Sequence, residues 1–593
     1  MLDNFILNRT LLILDLKLIF NFANMIKKIF YILSLILVIG CSNEGLLDDT
    51  DLDELTLEKV FSDTENTRSA LYDLYGRMRE VENNNSGSFS RLMSMNVQVA
   101  MLDNATDDGA GNTTRNAGLV PGIQRYIAGA ITGTTNPVVG THPWTFYYTA
   151  IRNANIFLAN VNKSPLTDSE KTSSANQARF LRAYYYHELF RWFGPLVIST
   201  EPSDPFAFED TRRESLANTV EFIVNEFDTL SMEGKLPDKW EGSDYGRATR
   251  TAAMAYKART LLYAASSLYE SSGVKWEEAA EAAMDVINYS EAKGLHSLYI
   301  HSDEPEKSYT RYFNERSNPE NILVYLRAPD NDLYNLFPAF NPWNVNKELT
   351  TVPTQWLVDS YDMADGSEPI VGYNSDYSPV INPNSGYNEQ DPYKNRDPRF
   401  YQTILHHGMT WPKVNNKPAK VDITTPNNWG SGYFLVKFLD DRIDHRTGGQ
   451  TSMNFIMMRY AEVLLNYAEA VNEASDTQAA RTKAVEQLNR IRKRAGIINP
   501  INASDYTQNT LRERIRKERR VELCFEEHRF FDIRRWKIAN DVMNKPAIGI
   551  AIENGNFTRK VLDKRNYNER MNLAPLPNNE VNNSPLIFQN PGY

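Results

Sequence analysis

LRERIRKERRVELCFEEHRFFDIRRWK, residues 511–537, sets acids and bases at helical neighbour spacing: Glu513 with Lys517, Arg514 with Glu518, Arg519 with Glu522. The alternation predicts a helix over 510–527 whose face is laced by ion pairs. A functional basic patch is the other reading of the same residues. Cys524, inside this charged run, reads as a small apolar core residue. With only two cysteines in 593 residues, neither a disulfide framework nor a cysteine-rich metal site is available.

The 3.6-residue period recurs upstream. In MMRYAEVLLNYAEAVNEA, 457–474, the residues Tyr460, Val463, Leu464, Tyr467, Ala468 and Val471 fall on one face. In ARFLRAYYYHELFRWFGP, 178–195, Ala178, Leu181, Tyr185, Leu189 and Trp192 do the same, and Gly194-Pro195 stops the helix. RTAAMAYKARTLLYAASSLYE, 250–270, alternates small residues with Leu and Tyr, a pattern that allows close helix approach. Further helices are predicted at 147–162, 217–230, 276–290 and 479–495. Helices of this length joined by short turns resemble tetratricopeptide hairpins, although the Trp-Leu-Gly signature is absent. The fold class is therefore mainly α, built on divergent repeats.

Residues 294–455 break the pattern. They hold 14 of the 28 prolines and 4 of the 9 tryptophans, in turns such as FNPWNVN and TTPNNWGSGYF. So long a stretch without helical period predicts a folded, loop-rich lobe with a few short strands, inserted between helical repeats. Loops on a rigid scaffold are where binding residues collect.

The composition, 41% hydrophobic and 23% charged, is that of a globular protein, and the net charge of −11 argues against nucleic-acid binding. At the N-terminus, Lys27 and Lys28 precede an apolar run, Ile29 to Gly40, which is shorter than the roughly 20 residues of a spanning helix. Residues 1–40 read as a signal peptide with its start at Met25. LVIGC, 37–41, resembles a bacterial lipobox in which Cys41 is acylated. Residues 41–60 then form a lipidated start and an acidic tether, rich in Asp and Glu from Glu44 to Glu54. Each buried CH₂ of an attached acyl chain contributes about 0.8 kcal/mol to membrane anchoring.

Five blocks in order, the lipobox with its tether, 178–199, 458–474, 515–537 and the ending LAPLPNNEVNNSPLIFQNPGY, together resemble the SusD/RagB family of outer-membrane nutrient-binding lipoproteins. The resemblance implies a SusD-like domain over 61–593, with four tetratricopeptide-like units supporting a ligand-binding lobe at 294–455. It implies an oligosaccharide ligand, an outer-membrane, cell-surface location through a lipid anchor, and a SusC-like TonB-dependent transporter as partner. It implies neither cofactor nor covalent chemistry.

Sugar rings are recognised by aromatic faces, with amides, carboxylates and guanidiniums binding the hydroxyls. Tyr334, Trp343 and Trp429 are the loop aromatics with polar neighbours, whereas Trp356 sits in an apolar, regular stretch and reads as core. The family also places contacts in a loop before the first repeat, which corresponds here to 100–118. Asn104, Asp107 and Arg115 are its polar candidates and Tyr126 the nearest aromatic. A glycoside hydrolase is the rival reading, since it too binds sugars and needs only a carboxylate pair about 5–9.5 Å apart. The sequence carries no Gly-x-Ser-x-Gly, P-loop or His-Glu-x-x-His block, and His406, His407 and His445 have no nearby ligand set that predicts a metal. A protein-interaction scaffold is the third reading.

Overall fold

The computed structural model describes residues 56–79, 102–111, 121–135, 142–202, 211–329, 351–424, 430–451 and 453–593. Cys41, Arg115, Tyr334, Trp343 and Trp429 lie outside the described residues. The chain divides into two units, 1–62 and 63–593. In the first, a single helical turn, Leu57–Phe61, is capped by the Thr56 hydroxyl, which accepts from the Lys59 N–H.

The second unit is a stack of antiparallel helix pairs. The main helices of the stack are α1 (Pro143–Asn160), α2 (Asp168–Phe193), α3 (Leu216–Ser231), α4 (Arg250–Ala265), α5 (Trp276–Lys293), α6 (Tyr460–Ala474), α7 (Gln478–Arg494), α8 (Gln508–Glu522) and α9 (His528–Arg535), with Thr64–Gly76 and several shorter helices beside them. Each of the first seven packs on the next, and α6 also packs on α8. Because α5 rests directly on α6, the helical stack continues across the long segment that separates them in sequence.

Local chemistry fixes the helix ends. Thr167 and Glu170 close a capping box at the start of α2. At its other end Gly194 takes φ +75°, and its N–H bonds the Phe190 carbonyl. The single apolar stripe expected for 178–195 is in fact buried on every side, with Tyr184, Tyr185 and Tyr186 all at most 1% exposed, because α1, α3 and α4 surround it. Each tyrosine pairs its hydroxyl: Tyr184 and Tyr185 with the carbonyls of Met78 and Leu74, Tyr186 with that of Ser199. Alanines 252, 253, 255 and 258 of α4 are essentially unexposed and let neighbouring helices approach closely. α4 is held to α6 by Arg259, whose guanidinium grips the buried Glu462.

The lobe contributes most of the strands, and among the described residues the sheets are all two-stranded and antiparallel. β1 (Gly109–Gly111) pairs β3 (Thr351–Pro353), β2 (Asn321–Tyr325) pairs β10 (Phe455–Arg459), β4 (Ile370–Tyr373) pairs β5 (Pro379–Ile381), β6 (Ile404–Leu405) pairs β9 (Phe434–Leu435), and β7 (Thr410–Val414) pairs β8 (Lys417–Lys420). The hairpin of β11 (Ala547–Glu553) and β12 (Asn556–Asp563) follows α9 and the short helix Ala539–Met543. Met457–Arg459, predicted as the start of a helix, belong instead to β10, whose ladder with β2 delivers Arg459 into the interior. The mainly α fold with a few short strands is thus as the sequence indicates.

The ion pairs of the opening stretch differ from the local pattern expected. Arg514 does meet Glu518, at 3.1 Å. Glu513 pairs with Arg516 rather than Lys517, and Arg519 with Asp532 rather than Glu522. Glu522, 0% exposed, instead receives Arg399 at 3.1 Å, Arg459 at 2.7 Å and Arg494. Arg399 comes from the lobe, Arg459 from β10 and Arg494 from α7, so this carboxylate ties lobe to scaffold. Burial alone would raise its pKa, but the three guanidiniums hold it well below the usual carboxylate range. Cys524 is buried as expected, with its sulfur 3.7 Å from the Tyr309 hydroxyl and 3.5 Å from that of Tyr361, and burial pushes its thiol pKa up.

Candidate functional site

Residues 102–111 form a tight, buried cradle. The Thr106 hydroxyl donates to the Asp103 carbonyl and accepts from the Asp108 N–H. A Cβ on Gly109 would lie 2.7 Å from the Asp103 carbonyl oxygen, so only glycine fits there. Arg565 donates to the carbonyls of Thr106 and Gly109. β1 then runs against β3, with Gly111 opposite Thr351 and Ala110 opposite Val352. Gly430 abuts Val352, where an added Cβ would sit 3.1 Å from Cγ2, and the Ser431 carbonyl accepts from the Ile550 N–H at 2.7 Å. Beneath lies a small apolar cluster of Ala110, Val352 and Ala547 with Leu562 packed on it.

This junction has a consequence for the candidates predicted from sequence. One described end of each of three segments, 112–120, 330–350 and 425–429, meets here: Gly111, Thr351 and Gly430. Those segments carry Arg115, then Tyr334 and Trp343, then Trp429. The described residues that bound these segments on one side, over 300 positions apart in sequence, are therefore neighbours on one platform.

The described candidates lie in its foundation. Asn104 is 4% exposed, and its side-chain amide donates to the Thr351 hydroxyl at 3.0 Å, which locks the cradle to β3. Asp107 takes a two-pronged grip from Arg529, both contacts at 2.8 Å, and a further one from Arg520 at 2.9 Å. Burial opposes ionisation of Asp107, yet Arg520 and Arg529 hold its carboxyl below the usual range, so it is a charged structural acceptor. Tyr126 is 2% exposed and packed edge-on to Phe530 at 5.2 Å, with Arg534 across its ring at 5.3 Å. It is placed as a core residue of the platform, because the helix Pro121–Ala128 turns it inward against α9. Trp356 is buried as read from sequence, its indole N–H donating to the Pro546 carbonyl.

Asp107 and Trp356 also edge a cleft of about 830 Å³ between α8 and the segment 356–373, a feature the sequence reading did not single out. Its signal was in the opening stretch: Glu513, Arg516, Lys517 and Arg520, at i, i+3, i+4 and i+7, all line one wall. Opposite, Tyr373 is 37% exposed and donates its hydroxyl to Asp359 at 2.9 Å. Asp359 also receives Gln355 and Arg559, so its lone pairs are occupied.

A glycosidase acid must hold a raised pKa and touch its substrate. In the cradle, Asp103 and Asp108 have raised pKa values, chiefly through burial, but both are 0% exposed. They cannot reach a sugar in this conformation. What the described part of the junction offers is a buried, ion-paired foundation of Asn104, Asp107 and Tyr126.

Comparison with known proteins agrees with this architecture. The SusD family model matches residues 302–593, and a second, described as starch-binding associating with outer membrane, matches 54–262. SusD-like protein P2 of Formosa agariphila is 27% identical over 597 residues, covering 95% of this chain and 99% of its own length. A SusD-like protein of Bacteroides fragilis superposes with a TM-score of 0.74 at 25% identity, covering 91% of this chain and 99% of that one. A SusD-like carbohydrate binding protein of the same species gives a TM-score of 0.69 at 23% identity, covering 89% and 100%. With its helical stack, its lobe and its C-terminal blocks all inside these matches, the chain belongs to the SusD family.

Proposed function

We propose that the chain is a lipid-anchored cell-surface protein that binds oligosaccharide or polysaccharide and delivers it to a SusC-like TonB-dependent transporter, without catalysis. The observation that carries the binding reading is the junction, from which segments bearing Arg115, Tyr334, Trp343 and Trp429 depart. Aromatic faces there would stack on the apolar faces of sugar rings, with the polar side chains binding hydroxyls. A solved neighbour of this fold described as carbohydrate-binding supports the same ligand class. The platform beneath is rigid, and a preorganised site loses less entropy on binding.

Affinity electrophoresis of residues 42–593 against a polysaccharide panel tests the reading. Retardation by at least one polysaccharide is expected, and Trp343→Ala combined with Trp429→Ala should abolish it while leaving the melting temperature unchanged. Failure of every polysaccharide to retard the wild type would overturn the proposal. The anchor is tested separately by fractionating cells that express Cys41→Ala: the variant should leave the membrane fraction, and unchanged fractionation contradicts lipidation at Cys41.

A further inference from the structure

The cleft beside the junction has two cations whose charge the protein leaves poorly compensated. On the α8 wall, Lys517 is held by Asp362 at 2.7 Å and Glu368 at 3.1 Å, and Arg520 by Asp108 at 2.5 Å and Asp107 at 2.9 Å. Arg516 differs. Its partner Glu513, at 3.0 Å, has a side chain 70% exposed, so that pair is screened by water and weak, while the Arg516 side chain is only 19% exposed and lies over Trp536. Burial pulls the Arg516 pKa below its ordinary value and outweighs the opposing pull of the Glu513, Glu469 and Glu473 carboxylates. The exposed Lys545, which also lines the cleft, sits 5.6 Å from the Trp356 ring centroid and, among the described residues, has no carboxylate partner. Tyr373, beside Trp356 at 4.8 Å, presents a half-exposed ring to the same space.

A cavity of about 830 Å³ falls in the range of small-ligand sites, and it combines an accessible aromatic ring, under-compensated cations and ordered carboxylates. We infer that this cleft is a second saccharide site, separate from the junction, that takes a sugar bearing a carboxylate or a sulfate. Lys545 and Arg516 receive the anionic group, Arg516 exchanging its exposed contact with Glu513 for it, and Tyr373 packs against the ring. The inference rests on the reading of the chain as an oligosaccharide binder and adds to it the charge of the ligand.

Titration calorimetry of residues 42–593 with three probes tests it: a neutral β-glucan oligosaccharide, an oligogalacturonide and a sulfated chondroitin oligosaccharide. At least one charged probe should bind, at least tenfold more weakly to Lys545→Ala and to Tyr373→Ala, and more weakly as salt rises. Which charged probe binds separates carboxylate from sulfate. Both substituted residues are surface-exposed, and unchanged melting temperatures would confirm that the variants fold. Charged-probe binding that the two variants leave unaltered would overturn the inference. So would binding of the neutral probe alone, which leaves the junction reading standing. Binding of no probe here, together with no retardation by any polysaccharide, would overturn both.

Discussion

Replacing Glu522 by Ala is expected to destabilise the fold by about 3–5 kcal/mol, the range for removing one partner from a buried ion pair. The carboxylate is 0% exposed and is shared by Arg399, Arg459 and Arg494. Those guanidiniums are themselves at most 6% exposed, so no water replaces the lost charge. Arg459 retains Glu320 and Glu526, Arg494 retains Glu320, and Arg399 retains Asp397 and Glu518, which sets a ceiling on the loss. Urea denaturation of residues 42–593 provides the measurement, with Glu513→Ala as the exposed comparison, expected to change stability by less than about 0.5 kcal/mol. If Glu522→Ala unfolds at the wild-type midpoint, the network is not what joins lobe to scaffold. Loss of soluble protein on this single change, with Glu513→Ala still folded, would be its extreme form.

Stability should also fall as pH drops from about 6.5 towards 4, before the paired carboxylates titrate. His142 and His406 are held neutral by burial, each with its pKa lowered to about 4. His142 caps α1, its Nδ1 accepting from the Trp144 N–H, and stacks on Phe193; His406 stacks on Tyr393 at 4.0 Å. Both take up protons in the unfolded chain near pH 6.5 but not in the folded one. Their stabilising contribution is therefore complete above 6.5 and lost as pH falls through 4, at about 3 kcal/mol each. Asp103, Asp108 and Glu527, whose pKa values burial raises, act in the opposite sense as pH falls. His142→Asn keeps a capping acceptor and removes the titration, so its melting temperature should fall less steeply between pH 6.5 and 4.5 than that of the wild type. Parallel profiles would contradict the account.

The helices were legible because their signals are local. Gly194-Pro195 announces the end of α2 in the sequence, and the face of 460–471 announces α6, whereas α2 begins at Asp168 behind its Thr167–Glu170 capping box, ten residues before the apolar stretch read as helical from Ala178. The partners of the charges were not legible. Arg520 finds Asp108 across 412 positions, and Arg459 finds Glu320 across 139, distances at which the spacing of i and i+4 says nothing. Local spacing suggested Arg519–Glu522, but Glu522 already meets three guanidiniums from elsewhere, and Arg519 turns to Asp532. For the site, the sequence could identify aromatic loops, yet their common origin depends on the pairing of Gly111 with Thr351, a long-range contact with no periodic signature. Tyr126 illustrates the reverse: proximity in sequence to a polar loop did not reveal that Phe530 and Arg534 cover its ring.

Hydrogen–deuterium exchange of residues 42–593, with and without a polysaccharide that retards the protein, tests the central claim most directly. Protection on binding should concentrate in 102–120, 330–354 and 425–433, and chromatography of the same mixture should show the glycan intact. Protection confined to other parts of the chain, or release of shortened products that a single carboxylate substitution abolishes, would contradict a non-catalytic glycan site at the junction.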